Sequence, residues 1–177
     1  MKRCLAVVLA VLIPACAHDE DNIVKVLPVS IADADYGNGH PLVRNAAQNA
    51  ALEQAHVSAV NAWRGSVGLP AFAVSDSLSA VARAYSEHMT LEPFFSHTAP
   101  EGGKLSDRII LACGVPMIYA AENLMMTSDG SAASVLAGFL ASPGHKANLS
   151  DTTANTLGVG IWFSGSMYYV TYEMVWR

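Results

Sequence analysis

From Ala46 onward, apolar residues return at three- and four-residue steps, and toward the end of the chain at every second residue. Leu52, His56, Val60, Trp63 and Val67 mark one face of an amphipathic helix, and Gly68 followed by Pro70 is the expected stop. A second helix starts at Ser75, whose hydroxyl can accept from free N–H groups of the first turn, while Asp76 adds negative charge at the positive end of the helix. Its apolar stripe is Leu78, Val81, Ala82, Tyr85 and Met89, and Pro93 closes it. Residues 104–113 predict a short helix with Leu105, Ile109 and Leu111 inward, ended by Gly114 and Pro116. Residues 119–126 read as a strand, 127–131 as a polar loop, and 131–141 as a helix built on Val135, Leu136, Phe139 and Leu140. Ser142 is a second serine cap, and Pro143 suits a first helical position because its missing N–H costs nothing there; the short helical turn behind it carries His145 to Leu149. The period then becomes two. Leu157, Val159, Ile161 and Phe163 alternate with Gly158, Gly160 and Trp162, a turn at Ser164-Gly165-Ser166 follows, and residues 167–176 form a strand rich in Tyr, Val and Thr. Helices first and a terminal hairpin last predict an α+β fold with helices packed on an antiparallel-rich sheet.

The first 45 residues follow a different logic. Lys2 and Arg3, then an apolar stretch from Leu5 to Ile13 too short to span a bilayer, make residues 1–17 a signal peptide. Its end reads two ways. Ala15-Cys16-Ala17 fits signal cleavage, and Ile13-Pro14-Ala15-Cys16 resembles a lipobox that would acylate Cys16 and leave a lipoprotein. Either way the chain leaves the cytoplasm, and its contact with a membrane would run through a lipid anchor at Cys16. Residues 18–45 lack sustained periodicity and read as a linker or tether with one short strand at 23–29, which places the domain at 46–177.

Hydrophobic residues make up 52% of the chain, enough for a core, and charged ones only 14%. Loss of Lys2 and Arg3 takes the formal charge from −5 to −7, and no basic run exists, which argues against nucleic acid as a partner. With Cys4 lost in the leader and Cys16 lost or acylated, Cys113 stands alone and reads as a buried, inert thiol.

Four of the six histidines have bland readings: His18 and His40 in the linker, His56 and His88 beside helical apolar faces as hydrogen-bonded imidazoles. His97 and His145 instead lie in polar, turn-rich breaks where side chains can point into a cleft. Phe94 and Phe95 would anchor the segment carrying His97 by burial. Glu122 sits in an apolar strand, where an unpaired carboxylate is costly, so it needs a partner, and an imidazole is a natural one. His97, Glu122 and His145 are therefore the candidates for catalytic chemistry. His97 and Glu122 could do acid/base work, His97 and His145 could hold Zn2+ or another divalent ion, or His97 and Glu122 could simply fix a loop to the sheet. Motifs for zinc proteases, serine hydrolases, nucleotide binding and dithiol redox chemistry are absent, and Gly158-Val159-Gly160 fits tight strand packing better than a nucleotide loop.

Several short strings recur in one order: Asn61-x-x-Arg64 with Gly68-Leu69; Ser75-Asp76 with Leu78, Ala82, Tyr85-Ser86 and Met89; Phe95-Ser96-His97 with Pro100, Gly102 and Arg108; Ala121-Glu122-Asn123-Leu124; Ser142-Pro143-Gly144-His145 with Asn148-Leu149; Leu157-Gly158-Val159-Gly160; and Tyr169-Val170-Thr171. Together they resemble the bacterial branch of the CAP superfamily (SCP-like extracellular, cysteine-rich secretory, antigen 5 and pathogenesis-related-1 proteins). The resemblance implies a three-layer α–β–α sandwich with a central cleft lined by two histidines and acidic residues, where some members bind zinc and others bind lipids in separate grooves. His97 matches the first cleft histidine and Glu122 the first glutamate. The second histidine's position looks like Thr156, the second glutamate's falls near Ser142, and the strand position often filled by glutamine is Tyr172, so the full set of four is absent. The expectation is an envelope-anchored or secreted CAP domain that binds a lipid, peptidoglycan-derived or protein ligand without catalysis. The alternative is a metal-assisted hydrolase with Glu122 as general base.

Overall fold

The computed structural model describes residues 46–113 and 119–176, with side chains from 49 to 110 and from 119 to 176. The expected signal peptide, Cys16, the expected linker and short strand, Gly114 and Pro116 lie outside the described residues, as do the side chains of Leu111 and Cys113. The elements run α1 (Ala46–Ser66), β1 (Ala73–Val74), α2 (Asp76–Leu91), α3 (Leu105–Cys113), β2 (Ala120–Thr127), α4 (Ala132–Ala141), α5 (Pro143–Ser150), β3 (Thr156–Phe163) and β4 (Tyr168–Val175). The fold is mixed α+β around one four-stranded sheet of order β1-β3-β4-β2.

Capping decides several boundaries. The Ser75 side chain accepts from Leu78 N–H, and Ser131 does the same for Ser134 at the head of α4. Gly68 ends α1 in the left-handed conformation (φ +78°), a region that costs glycine little. Pro143 opens α5 as expected, yet the Ser142 side chain caps nothing; its backbone N–H closes α4 on Phe139 O instead. Val67 is 51% exposed, because the helix ends one residue before it and the chain turns away.

β3 pairs antiparallel with β4, and β4 with β2, as the terminal alternation predicts. The two-residue β1 joins β3 in parallel and is too short to leave a periodic signal. Helices α1, α4 and α5 cover one face of the sheet, over a core that includes Val60, Phe139, Leu157, Val159, Ile161, Val170, Tyr172 and Met174. Helices α2 and α3 cover the other, with Leu78, Val81, Ile109 and Val175 in one cluster and Tyr85, Met89, Ala99 and Leu124 in a second. This is the expected α–β–α layering. Gly158 and Gly160 let α2 lie directly on β3: a Cβ on Gly160 would stand 1.9 Å from the Arg83 backbone nitrogen, and one on Gly158 2.5 Å from the Leu78 carbonyl carbon.

Other matched strings are structural. Asn61 exchanges two hydrogen bonds with the Phe72 backbone. The buried Arg64 donates to the carbonyls of Pro70, Leu149 and Asp151, with its guanidinium 3.7 Å over the Phe72 ring. These contacts fix the loop after α1 and the end of α5, the frame in which the cleft residues stand.

Candidate functional site

The site forms along β2, an edge strand that pairs only with β4 among the described residues. Successive residues of a strand face opposite sides, so Glu122 points toward the α2/α3 layer and Asn123 toward α5. Asn123 Nδ2 donates to His145 O at 3.0 Å, and Asn148 Nδ2 donates to Asn123 Oδ1 at 2.9 Å and to Glu122 O at 3.3 Å. The Ser-Pro-Gly-His turn is thereby stitched to the strand that carries Glu122.

From the other layer, the segment after α2 brings His97. Its Nδ1–H donates to Glu122 Oε1 at 2.7 Å, and Arg108 of α3 donates to Glu122 Oε2 at 2.5 Å and to His97 O at 3.3 Å. The guanidinium of Arg108 also lies 3.4 Å over the Tyr85 ring, and Tyr85 donates its hydroxyl to Ser96 O at 2.6 Å. Burial is the main reason the Tyr85 phenol is pushed up to about 12, so it stays protonated and keeps donating. Of the phenylalanine pair, Phe94 packs beside Tyr85 and Met89, whereas Phe95 is exposed, so one ring anchors the segment, not two.

The two partners differ sharply in exposure. The Glu122 side chain is 2% exposed and the His97 side chain 60%. With Nδ1–H committed to the carboxylate, the other ring nitrogen, Nε2, has no hydrogen-bond partner among the described residues. Glu122 thus orients the ring, and His97 meets the solvent.

His145 stands on the opposite side of the strand, half-buried with its ring edge-on to Phe139 at 5.1 Å. Burial, reinforced by the nearby His97, pulls its pKa down. Thr156 lies across the sheet on β3, paired with Ala73 and Val175, and its hydroxyl donates to Asn155 Oδ1.

One residue of the cluster escaped sequence reasoning. Glu173 on β4 stands directly across the ladder from Glu122, fully buried, and neither carboxyl oxygen has a hydrogen-bond partner among the described residues. Burial first, then the neighbouring Glu122 charge, pushes its pKa well up, and Arg108 offsets only part of this. The signal was available, since the cost that singles out Glu122 applies equally to an acid between Tyr172 and Met174.

Of the two helical histidines, His56 is the hydrogen-bonded imidazole expected and His88 is not. His56 is buried; Nε2–H donates to Gly130 O at 2.9 Å, so Nδ1 accepts from the Tyr172 hydroxyl at 2.7 Å. Burial lowers the His56 pKa, which favours this neutral ring, and raises that of Tyr172. The tyrosine at the glutamine position is thus part of a core pair on the α1/α4 side. His88, with Glu92 and Glu101, forms a group whose ligand atoms all lie within 4.8 Å of one another, a His/Glu arrangement able to hold a metal.

Two α-helical layers enclosing a mixed sheet, with an imidazole–carboxylate pair at its edge, define an SCP-type domain. The family model for CAP, the cysteine-rich secretory protein family, matches residues 57–175, and the chain belongs to that family. It is 30% identical over 118 residues to the uncharacterized protein YkwD of Bacillus subtilis (strain 168), a match that spans 67% of this chain and 45% of that protein. In structure it is similar to an extracellular protein containing an SCP domain from Bacillus anthracis (TM-score 0.65, 28% identity, 73% of this chain and 41% of the other). It also shares its fold with an outer surface protein of Borrelia burgdorferi (TM-score 0.61, 20% identity, 68% of this chain and 89% of the other). The chain thus spans less than half of the first two relatives. No helix among the described residues is long and apolar enough to cross a membrane.

Proposed function

We propose that this chain is an extracytoplasmic CAP domain, envelope-anchored through Cys16 or secreted, that binds a ligand without catalysis through the cleft of His97, Glu122 and His145. The observation that supports the reading is the commitment of Glu122, which counts against the alternative in which Glu122 is the general base. One oxygen accepts from His97 and the other from Arg108, and the side chain is shut away from water. A general base must reach the proton it takes, directly or through one water, and this carboxylate is placed instead to hold an imidazole outward. The extracellular and outer-surface relatives support the location, as does the leader-like composition of residues 1–17. The ligand classes are lipid, peptidoglycan-derived and protein.

The test uses defined probes: soluble peptidoglycan fragments, phosphatidylglycerol vesicles, and a peptidase and esterase panel. Capture of a probe by the wild type, lost in His97→Ala with the fold intact and with no turnover of any substrate, is the expected result. Turnover that disappears in His97→Ala contradicts the non-catalytic reading. One observation favours the second reading, a metal-assisted hydrolase: the outward Nε2 of His97 is open to a divalent ion such as Zn2+, with His145 as the second ligand of that reading. Metal analysis of purified wild type against a His97→Ala, His145→Ala double variant separates the two. Labelling of cells with a fatty-acid probe, abolished by Cys16→Ser, decides the anchor.

A further inference from the structure

We propose that His88, Glu92 and Glu101 form a divalent-cation site of the zinc class at the C-terminal end of α2, apart from the cleft. Their ligand atoms converge, all within 4.8 Å of one another. His88 Nε2 lies 3.8 Å from Glu92 Oε2 and 4.0 Å from Glu101 Oε2. Both distances exceed a hydrogen bond and lie at the outer limit of an ion pair, so no short contact between the groups closes the space they surround. They are spaced as donors around a shared centre, since an ion about 2.0–2.2 Å from each of its nitrogen and oxygen ligands sets those ligands roughly 3–4 Å apart.

The donors are held in place, although two of them are exposed. His88 and Glu92 are four residues apart at the end of one helix, and Glu92 N–H closes the last turn on His88 O. The His88 ring stands edge-on to Phe94 at 5.1 Å and to Tyr85 at 6.3 Å, which fixes its direction. Glu101 sits in a tight turn: Gly102 N–H donates to Ala99 O at 2.8 Å, Ala99 N–H to Gly103 O at 3.0 Å, and Gly102 takes φ +93°. Ala99 is buried against Tyr85, Met89 and Leu124, so the turn is anchored to the core.

Electrostatics point the same way. Free carbonyls make the C-terminal end of a helix negative, a place that favours cations, and here it carries Glu92 with Glu101 beside it. A bound cation relieves that concentration of negative charge. A nitrogen donor with two carboxylates, the remaining positions left to water, suits zinc better than magnesium or calcium, which prefer all-oxygen sets. The site ties the end of α2 to the turn that follows His97, so cation binding stiffens the segment between them without using the cleft residues.

The experiment is calorimetric titration of the protein with zinc chloride, using four forms: wild type, Glu101→Gln, His88→Ala, and the His97→Ala, His145→Ala double variant. The site predicts binding retained in the cleft double variant and weakened at least tenfold in both His88→Ala and Glu101→Gln. Glu101→Gln alters an exposed side chain, so its loss of binding cannot be ascribed to misfolding. Loss of binding in the cleft double variant, undiminished binding in Glu101→Gln, or no zinc uptake by the wild type overturns the proposal.

Discussion

Two buried glutamates are held by arginines at opposite edges of the same sheet, and only one of them makes a site. At the β3 edge, Glu53 of α1 accepts from both Nε and Nη2 of Arg83 of α2, and its Oε1 also accepts from Ile161 N–H at 3.1 Å. Beside it, Ser79 Oγ accepts from Val159 N–H at 3.2 Å. The pair reaches around the stretch of β3 that the short β1 leaves uncovered, ties together helices from the two layers, and satisfies a backbone donor that would otherwise be open to another strand. At the β2 edge, Glu122 gives one oxygen to Arg108 and the other to His97, whose ring faces water. A carboxylate spent on a guanidinium fork and the backbone is structural. One that shares its arginine with an exposed imidazole orients a group that can act on the outside.

The comparison can be broken at four points, in order of effect. Glu53→Ala leaves Arg83 and the Ile161 N–H without their acceptor and should cost about 3 kcal/mol in urea unfolding; a loss under about 1 kcal/mol would mean that the β3 edge is closed some other way. Arg108→Leu exposes Glu122 to the unrelieved proximity of Glu173 and should cost about 2 kcal/mol. A double-mutant cycle with Glu173→Leu should recover a measurable part of that loss, and strict additivity would show that the two acids do not interact through Arg108. Glu173→Leu alone should stabilise the fold at neutral pH by about 1 kcal/mol. The sign with pH follows from the direction of the shift. The folded state raises the Glu173 pKa above the ordinary 4.5, so the side chain costs nothing through ionisation below that pH, and the penalty grows as pH rises through the folded value. The advantage of the leucine variant should therefore shrink on acidification toward pH 4.5, and an advantage that grows instead contradicts the shift. Last, His97→Ala should change stability by less than about 0.5 kcal/mol, because the ring is mostly in water. A loss above about 2 kcal/mol would make His97 a structural clamp like Arg83.

Much of this was legible along the chain. The cap at Ser75, Pro143 at a helix start, Gly68 at a helix end and the period change at Leu157 each follow from local backbone chemistry, so each can be read locally, whereas the cap expected at Ser142 falls to Ser131 at the previous helix. The His97–Glu122 pair was legible because a carboxylate in an apolar strand demands a partner. What could not be read depends on register and on packing between distant elements. Nothing in the sequence places Glu173 across from Glu122, since that requires knowing that residues 122 and 173 face each other on paired strands. Arg108 could be matched to a family string but not given its role, because its partners lie on β2 and in the segment after α2. Glu53 and Arg83 are 30 residues apart and look like ordinary solvated helix charges until both helices are seated on β3.

The most direct measurement is nitrogen-15 NMR of the His97 ring at pH 8, in the wild type and in Glu122→Gln. If Glu122 orients an outward imidazole, His97 is locked with the proton on Nδ1 and the lone pair on Nε2, and that preference collapses toward the free mixture of tautomers in the variant. A ring protonated on Nε2 in the wild type, or a preference untouched by Glu122→Gln, contradicts the account.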